Sequence, residues 1–315
     1  MKGLVTKSTG SFYDILAEDG KTYKARIRGK FRIQGIITTN PIAVGDRVEF
    51  HLKDDGTAVI DSIEPRKNHL LRKATKLSSK YHILAANVDQ VLVLYTPQYP
   101  ETLLSFIDRI LVAAEAFDIS PVLLINKMDL FEHNDEAGKK IEKFKRIYKP
   151  TNYPILEVSA ATGYQLDRLR NLMKNKISVF AGNSGTGKSS LVKALIPDSN
   201  IRIGDLSQIH RQGKHTTTFA ELHPLPFGGY IIDTPGIRAF GSIDFEPREL
   251  KNYFPEFRRF SPFCKFHNCM HVNEPGCEVK KRINSGEIPS ERYKNYLDIL
   301  EELKNQSPYR TKKFE

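Results

Sequence analysis

The chain lacks an apolar run long enough to cross a membrane. Its longest apolar stretches, such as VLVLY at 91–95 and PVLLI at 121–125, have the length of a β-strand, whereas a membrane-spanning helix needs about 20 apolar residues. The opening segment MKGLVTKSTG also lacks the apolar core of a signal peptide. We therefore expect a protein of the cytoplasm that has no membrane partner.

Cysteine is scarce as well. The chain has three cysteines, an odd number that cannot all pair, and they crowd one short segment as Cys264, Cys269 and Cys277. Disulfides are rare in a reducing compartment. The clustering therefore predicts a metal site rather than a disulfide framework.

Acidic residues are outnumbered, since 37 Asp and Glu against 48 Lys and Arg give a formal net charge of +11. Such an excess favours a polyanionic partner, with nucleic acid ahead of a membrane surface. A composition with 40% hydrophobic residues excludes a disordered chain. The length of 315 residues predicts two or three domains.

Residues 1–68 are predicted to form a small β-barrel of the OB type. Five short strand-like segments are separated by turns rich in Gly, Asp and Asn: LVTKS, FYDILA, KTYKARI, DRVEFHL and AVIDSI. Closely spaced strands with such turns are typical of small barrels, and an SH3-like barrel is the alternative. The basic stretch 26–40 is predicted to be a long loop, and 64–82 a basic connector.

Residues 69–241 are predicted to form the central domain of a multi-domain α/β protein. From residue 88 onward, strand patterns such as DQVLVLY alternate with helical patterns such as ETLLSFIDRILVAAEAF. This alternation predicts a doubly wound, mostly parallel sheet. Residues 242–315 break the pattern and are predicted to form a C-terminal helical region around the cysteines, closing with a helix over 289–303.

The segment AGNSGTGKSS at 181–190 matches the phosphate-loop pattern G-x-x-x-x-G-K-[ST] between a strand and a helix. Glycine permits backbone conformations that a Cβ would block, so successive N–H groups and the helix N-terminus point at phosphates. Lys188 is predicted to bridge the β- and γ-phosphates during catalysis, and Ser189 to ligate Mg²⁺. The predicted phosphate-binding residues are Gly182, Asn183, Ser184, Gly185, Thr186, Gly187, Lys188, Ser189 and Ser190.

Two later segments are expected to complete the phosphate site. In YIIDTPG a strand ends at Asp233, which is predicted to hold Mg²⁺ directly or through water, and the Gly236 N–H is predicted to reach the γ-phosphate. The loop GKHTTT at 213–218 lies between the two motifs. This loop contains three adjacent threonines that the sequence cannot separate. Thr217 is the first choice for the threonine that binds Mg²⁺ and senses the γ-phosphate, and it is predicted to be catalytic. The predicted Mg²⁺ ligands are Ser189, Thr217 and Asp233.

The strand pattern PVLLI is followed by a tetrad that predicts guanine binding: Asn126, Lys127, Met128 and Asp129. An Asp carboxylate accepts hydrogen bonds from guanine N1–H and the 2-amino group, whereas adenine would leave polar groups unpaired. Lys127 has the length to lie across the base, and Asn126 is predicted to brace the phosphate loop. One β–α step later, Ser159 and Ala160 are predicted to present backbone N–H groups to guanine O6.

The order of these motifs is itself informative. In an ordinary GTPase the phosphate loop, the threonine loop and D-x-x-G come before the two base-reading segments, whereas here they come after them. A doubly wound sheet requires only that the strands be spatial neighbours, and chain ends can be relocated through surface loops. Chance would have to produce both halves in correct internal order. The sequence therefore predicts a circularly permuted GTPase domain.

The cysteine segment CKFHNCMHVNEPGC has the spacing of a metal knuckle. Three thiolates and one imidazole make a closed tetrahedral Zn²⁺ site, which leaves no open position and so predicts a structural role. Spacing favours His271 as the imidazole, and His267 is the alternative. Region 242–315 is therefore predicted to be a zinc-binding C-terminal domain.

Together these motifs resemble the RsgA (YjeQ-type) family of circularly permuted GTPases over nearly the whole chain. The resemblance implies GTP hydrolysis with Mg²⁺, stimulation by the small (30S) ribosomal subunit, contact with 16S rRNA and a role in late 30S maturation. We expect a monomer. Lys214 departs from the family, which usually has Arg there, because Lys lacks the forked guanidinium. The resemblance also implies the zinc ligands Cys264, Cys269, His271 and Cys277.

The residue after DTPG is Ile237, where many GTPases carry a glutamine that orients the attacking water. Isoleucine forms no side-chain hydrogen bonds, so slow intrinsic hydrolysis is expected. The resemblance implies that His215 is catalytic and orients the water once a partner fixes its loop, and a surface histidine without a role is the alternative. Two competing functions are a P-loop ATPase or small-molecule kinase, which the tetrad argues against, and an RNA-binding assembly protein that uses GTP as a structural ligand.

Overall fold

The computed structural model describes residues 1–10, 12–27, 41–73, 81–196, 220–233 and 245–306. The strands of the N-terminal part are β1 (Lys2–Ser8), β2 (Tyr13–Ala17), β3 (Thr22–Ile27), β4 (Arg47–Leu52), β5 (Ala58–Ile63), β6 (His69–Lys73) and β7 (Tyr81–Ala86). The central part contains β8 (Gln90–Tyr95), α1 (Leu104–Ala116), β9 (Ser120–Ile125), α2 (Asp135–Tyr148), β10 (Ile155–Glu157), α3 (Leu166–Met173), β11 (Ile177–Ala181), α4 (Lys188–Leu195), β12 (Glu221–Pro224) and β13 (Tyr230–Asp233). The C-terminal helices are α5 (Pro255–Phe260), α6 (Glu278–Asn284) and α7 (Ser290–Gln306).

Strands β1 to β5 form a closed barrel. Apolar residues alternate along the strands, so that Val5, Ile15 and Phe50 face one core and are almost completely buried. β3 pairs with β5 in parallel, and β1 pairs with both β2 and β4. The ring order β1-β2-β3-β5-β4 is that of an OB-type barrel. The OB prediction is therefore confirmed over the SH3-like alternative, while most of the predicted loop at 26–40 lies outside the described residues.

The prediction of a basic connector at 64–82 is wrong. β6 and β7 pair as an antiparallel two-stranded ribbon, with His69 opposite Ala86 and Lys73 opposite Tyr81. A ribbon of this kind buries one narrow face, here through Leu70 and Ile83. Its apolar alternation is short and lies among many basic residues, which is why the sequence did not reveal it.

The central sheet has the strand order β10-β9-β8-β11-β13-β12 and continues through β12 into β1 of the barrel. Strands β10, β9, β8, β11 and β13 are parallel, and β12 is antiparallel to β13. This confirms the mostly parallel, doubly wound sheet. β8 is the first of these strands in the chain but lies in the middle of the sheet. The chain next adds β9 and β10 on one side of β8, and it then crosses to form β11, β12 and β13 on the other side. The carboxyl ends of the parallel strands share one edge, where ligands bind in such sheets.

The C-terminal helices dock on α1 through a buried ionic cluster. Arg292 of α7 is fully buried and forms ion pairs with Asp108 of α1 and with Glu256 of α5, the latter at 2.6 Å. Asn295 and the Tyr148 hydroxyl donate to the same Asp108 carboxylate. Burial raises the pKa of that carboxyl, and the Arg292 charge works against the rise. The cluster joins the C-terminal region to the central sheet domain.

Removal of the buried guanidinium is expected to destabilise the chain strongly. Arg292→Met leaves two buried carboxyl groups without their cation, a loss worth about 3–5 kcal/mol. Arg109→Met is the matched control, because Arg109 also links α1 to α7 through Glu302 but lies partly in solvent, where ion pairs contribute about 0–1 kcal/mol. Urea unfolding of both variants measures the difference. Equal shifts of the two midpoints would show that the buried cluster does not hold the helices together.

Candidate functional site

The phosphate-loop segment joins the carboxyl end of β11 to the start of α4. Gly185 and Gly187 have φ angles of 81° and 94°, which favour glycine. A Cβ at Gly187 would lie 2.4 Å from Asn126 Nδ2, so a side chain would displace the tetrad. Lys188 Nζ donates to the carbonyls of Gly182 and Asn183 at 2.8 and 2.7 Å. The loop is thus a compact turn with its ammonium group held against the backbone that would surround a phosphate.

The tetrad lies directly against this loop. Asn126 is buried, and its Nδ2 donates to the Thr186 carbonyl at 2.8 Å, while its Oδ1 is buried without a hydrogen-bond partner among the described residues. Ser159 Oγ donates to Asp129 Oδ1 at 2.5 Å. The structure therefore brings Asn126, Asp129, Ser159 and the phosphate loop to one place, although the chain separates them widely. The buried polar atom of Asn126 and the glycine cradle both fit a bound nucleotide.

A neighbouring loop that the sequence did not single out also contacts both motifs. Lys127 lies at a φ of 66° and its Nζ donates to the Tyr99 carbonyl. A Cβ at Gly185 would lie 3.1 Å from Pro100. Thr96 and Thr102 are buried and close the base of this loop, since each backbone N–H bonds to the other residue. No local pattern marks 96–102 as part of a site, because its role comes only from contacts between distant segments.

The remaining phosphate-site predictions are only partly located. The backbone of Asp233 ends β13, which runs parallel to β11 with Val179 opposite Ile232. Asp233 therefore leaves the sheet at the same edge as the phosphate loop. The predicted residues Lys214, His215, Thr217, Gly236 and Ile237 lie outside the described residues.

The cysteine segment folds into a tight cluster. The ligand atoms of four residues all lie within 4.8 Å of one another: Cys264, Cys269, His271 and Cys277. His271 Nδ1 is 3.3 Å from Cys277 Sγ and 3.7 Å from Cys264 Sγ. Such spacing is compatible with four ligands around one Zn²⁺. The alternative imidazole, His267, is exposed and lies outside the cluster.

The surroundings of the cluster suit a structural metal. His271 Nε2 bonds to Ser261 Oγ at 3.0 Å, so the ring is oriented with Nδ1 toward the thiols. Burial, and secondarily Lys251, lowers the pKa of His271 to about 4, which leaves the imidazole neutral as a ligand must be. Burial raises the pKa of the Cys277 thiol to about 12. Zinc binding would therefore release protons and supply the charge that stabilises the thiolates.

Loss of one thiol is expected to release the metal and loosen the C-terminal helices. Cys269→Ser should abolish stoichiometric zinc, because closed sites couple metal binding to folding with apparent energies of about 10–16 kcal/mol in small zinc domains. Nucleotide affinity should change by no more than about twofold, because the central sheet has its own core. His267→Ala is the control and should keep its zinc. The measurement is the zinc content of each purified protein. A wild-type chain without zinc would contradict the site, and so would zinc that is lost in His267→Ala but kept in Cys269→Ser.

The fold and site together define a class of protein: a P-loop nucleotide-binding protein with a circularly permuted sheet, an OB-type barrel and a compact Cys/His cluster. Comparison with family models places the chain within that class. Residues 63–243 match the model described as RsgA GTPase, and residues 2–60 match the RsgA N-terminal domain. The chain belongs to the RsgA GTPase family.

Curated relatives support the same family. The chain is 47% identical over 304 residues to "Small ribosomal subunit biogenesis GTPase RsgA" of Christiangramia forsetii, covering 96% of each sequence. It is 44% identical over 310 residues to the protein of the same name from Bacteroides fragilis, covering 98% of this chain and 99% of the relative.

Solved structures agree with the fold. The crystal structure of YjeQ from Thermotoga maritima superposes with a TM-score of 0.79 at 39% identity, covering 96% of this chain and 98% of that one. YloQ, described as a circularly permuted GTPase, superposes with a TM-score of 0.76 at 32% identity, covering 98% and 96%. In the part of the chain that the structure describes, no helix has both the length and the apolar character to span a bilayer.

Proposed function

We propose that this chain hydrolyses GTP to GDP and phosphate, that the small ribosomal subunit stimulates it, and that it acts in late maturation of that subunit. The observation that carries the proposal is the hydrogen bond from Asn126 to Thr186. It ties a guanine-type tetrad to a phosphate loop across the permuted sheet. The small ribosomal subunit is proposed as the partner because the names of the relatives above include it.

The residues divide the work of holding GTP. The loop 182–187 and the start of α4 offer backbone N–H groups to the phosphates, and Lys188 adds a positive charge that can leave its carbonyl partners. Mg²⁺ bound with the nucleotide would neutralise phosphate charge. We propose that Ser189, Asp233 and Thr217 hold this ion. Each of these groups favours the charge that builds up on the phosphates during transfer.

The base site selects guanine through Asp129. Ser159 occupies one carboxylate oxygen, and the second remains to accept from the base. Adenine cannot donate to that oxygen from its N1 position, so the carboxylate would be desolvated without compensation. Met128 and Asp129 begin a short 3-10 helix, Met128–Leu130, so the second half of the tetrad lies in this helical turn. We also propose that the Ala160 backbone N–H reaches guanine O6, whereas the predicted Ser159 N–H already donates to the Tyr164 carbonyl at 3.1 Å.

The rest of the proposal concerns domains and partners. We assign residues 1–68 to the barrel, 69–241 to the permuted GTPase domain and 242–315 to the zinc-binding domain. The net charge of +11 supports contact with 16S rRNA. We propose a monomer that works in the cytoplasm, where small-subunit assembly takes place.

Turnover with GTP and with ATP tests this function. Wild-type protein should release phosphate from GTP over many turnovers and leave ATP nearly untouched. Lys188→Ala should lose turnover by about 10²-fold or more, as removal of a group that stabilises transition-state charge does. The second candidate function, GTP as a structural ligand, is favoured by Ile237 in place of a water-orienting glutamine. It predicts tight GTP binding with at most one turnover.

A further inference from the structure

The zinc region has an exposed surface that the nucleotide site does not use. We call it the knuckle surface, and it comprises Phe263, Lys265, Phe266 and His267. Phe263 is 72% exposed, more than any other large hydrophobic side chain among the described residues, and Phe266 is 39% exposed. Two exposed phenyl rings three residues apart in the chain are a feature of binding surfaces, because water disfavours exposed aromatic area.

The backbone that carries these rings is held firmly. Cys264 and Cys269, two members of the metal cluster, flank the loop that carries Phe266, and Phe263 directly precedes Cys264 at the end of the 3-10 helix Ser261–Phe263. Within the loop, Lys265 N donates to the Gly276 carbonyl and Cys269 N donates to the Phe266 carbonyl, both at 3.1 Å. A side chain presented on a fixed backbone loses little conformational freedom on binding, which favours affinity.

The chain segment that carries the rings is basic. The stretch 257–273, between Glu256 and Glu274, contains Arg258, Arg259 and Lys265 but no Asp or Glu. Of these cations, Arg258 is paired with Glu115 at 3.1 Å. Lys265 Nζ lies 5.6 Å from the centroid of the Phe266 ring. Lys265 forms no ion pair within the ranges that the structure describes. The knuckle surface therefore combines flat apolar rings with a cation that is available to an anion.

We propose that the knuckle surface binds unpaired RNA nucleotides, with bases stacked on Phe263 and Phe266 and an adjacent phosphate paired with Lys265. Every base has a π-face, and aromatic side chains beside cations are how proteins bind single-stranded RNA. An apolar protein partner would pack against the rings, but it would offer no anion to Lys265 in the basic stretch 257–273. The inference rests on the proposed function, because the small ribosomal subunit is the source of the RNA.

The test compares side chains that keep or lose the π-face. One variant carries Phe263→Leu with Phe266→Leu, and its control carries Phe263→Tyr with Phe266→Tyr. The probes are a labelled mixed-sequence single-stranded RNA of about 12 nucleotides, the same RNA in a duplex, and purified small ribosomal subunits. We expect the leucine variant to bind the single strand and the subunit about tenfold more weakly, and the tyrosine variant to stay within about twofold of wild type. Duplex binding should be the same for all three.

The outcomes separate the possibilities. Equal single-strand affinity for the leucine and tyrosine variants overturns stacking, and subunit binding retained by leucine but lost by tyrosine points to an apolar protein partner instead. Absence of subunit stimulation in wild type would overturn the proposed function, while the single-strand arm still decides stacking. If the leucine variant loses zinc, the Lys265→Gln variant provides the test. Loss of one phosphate contact should reduce the slope of log affinity against log salt concentration by about one. An unchanged salt dependence overturns the proposal.

Discussion

Asp129→Asn is expected to turn the base site from guanine to xanthine nucleotides. The amide side chain of the variant would keep its Oδ1 as acceptor for Ser159, since that hydrogen bond already fixes one oxygen of the native carboxylate. The amide nitrogen would then face the base at the position where the second carboxylate oxygen now lies. Guanine presents two donors there and would lose its ionised acceptor, which costs GTP affinity about 10²-fold or more. Xanthine carries a carbonyl in place of the 2-amino group and accepts from the new amide.

Competition between labelled GTP and XTP measures this exchange of specificity. Asp129→Ala is the matched control, because it removes the acceptor without supplying a donor and should weaken GTP without strengthening XTP. Zinc content should stay at the wild-type level in both variants, since the base site and the Cys/His cluster lie in separate cores. Unchanged GTP affinity in Asp129→Asn would remove Asp129 from the base site.

The second large effect is expected at His215, which lies outside the described residues. His215→Ala should leave nucleotide affinity nearly intact, because the phosphates, Mg²⁺ and base are held by other groups. A group that acts only on the attacking water contributes in the transition state, and its loss lowers kcat. Water orientation or proton transfer is worth about 10²–10⁴-fold. Turnover stimulated by small ribosomal subunits should fall by that order.

The slow intrinsic rate should fall less, because the partner is proposed to fix the loop that carries His215. His133→Ala is the control, since His133 is an exposed histidine with no assigned role. Stimulated turnover and nucleotide affinity are measured side by side for both variants. Near wild-type stimulation of His215→Ala would show that another group, such as one supplied by the ribosome, orients the water.

Much of the fold could be predicted because its signals are local. The strands β8, β9 and β11 are continuous apolar runs, and the phosphate loop and tetrad each occupy a few consecutive residues. Their placement at carboxyl ends of parallel strands follows from the sheet class, so the permuted order could be predicted from the sequence alone. The cluster of three cysteines was equally local, and the structure selects His271 over His267 by distance.

What the sequence could not give depends on contacts between distant residues. The Tyr99 carbonyl that holds Lys127 is a backbone group, which no side-chain pattern marks. Arg292 meets Asp108 across 184 positions, and each looks like an ordinary charged helix residue by itself. The β6–β7 ribbon buries too few residues to show a clear alternation. Tertiary packing decides all three.

Turnover of GTP with and without purified small ribosomal subunits tests the central claim most directly, with large subunits as the control partner. We predict slow turnover by the chain alone, a rise of about 10²-fold or more with small subunits, as partner-completed GTPase sites show, and no rise with large subunits. Equal turnover in the three conditions, or equal stimulation by both subunits, would contradict a GTPase that the small ribosomal subunit activates.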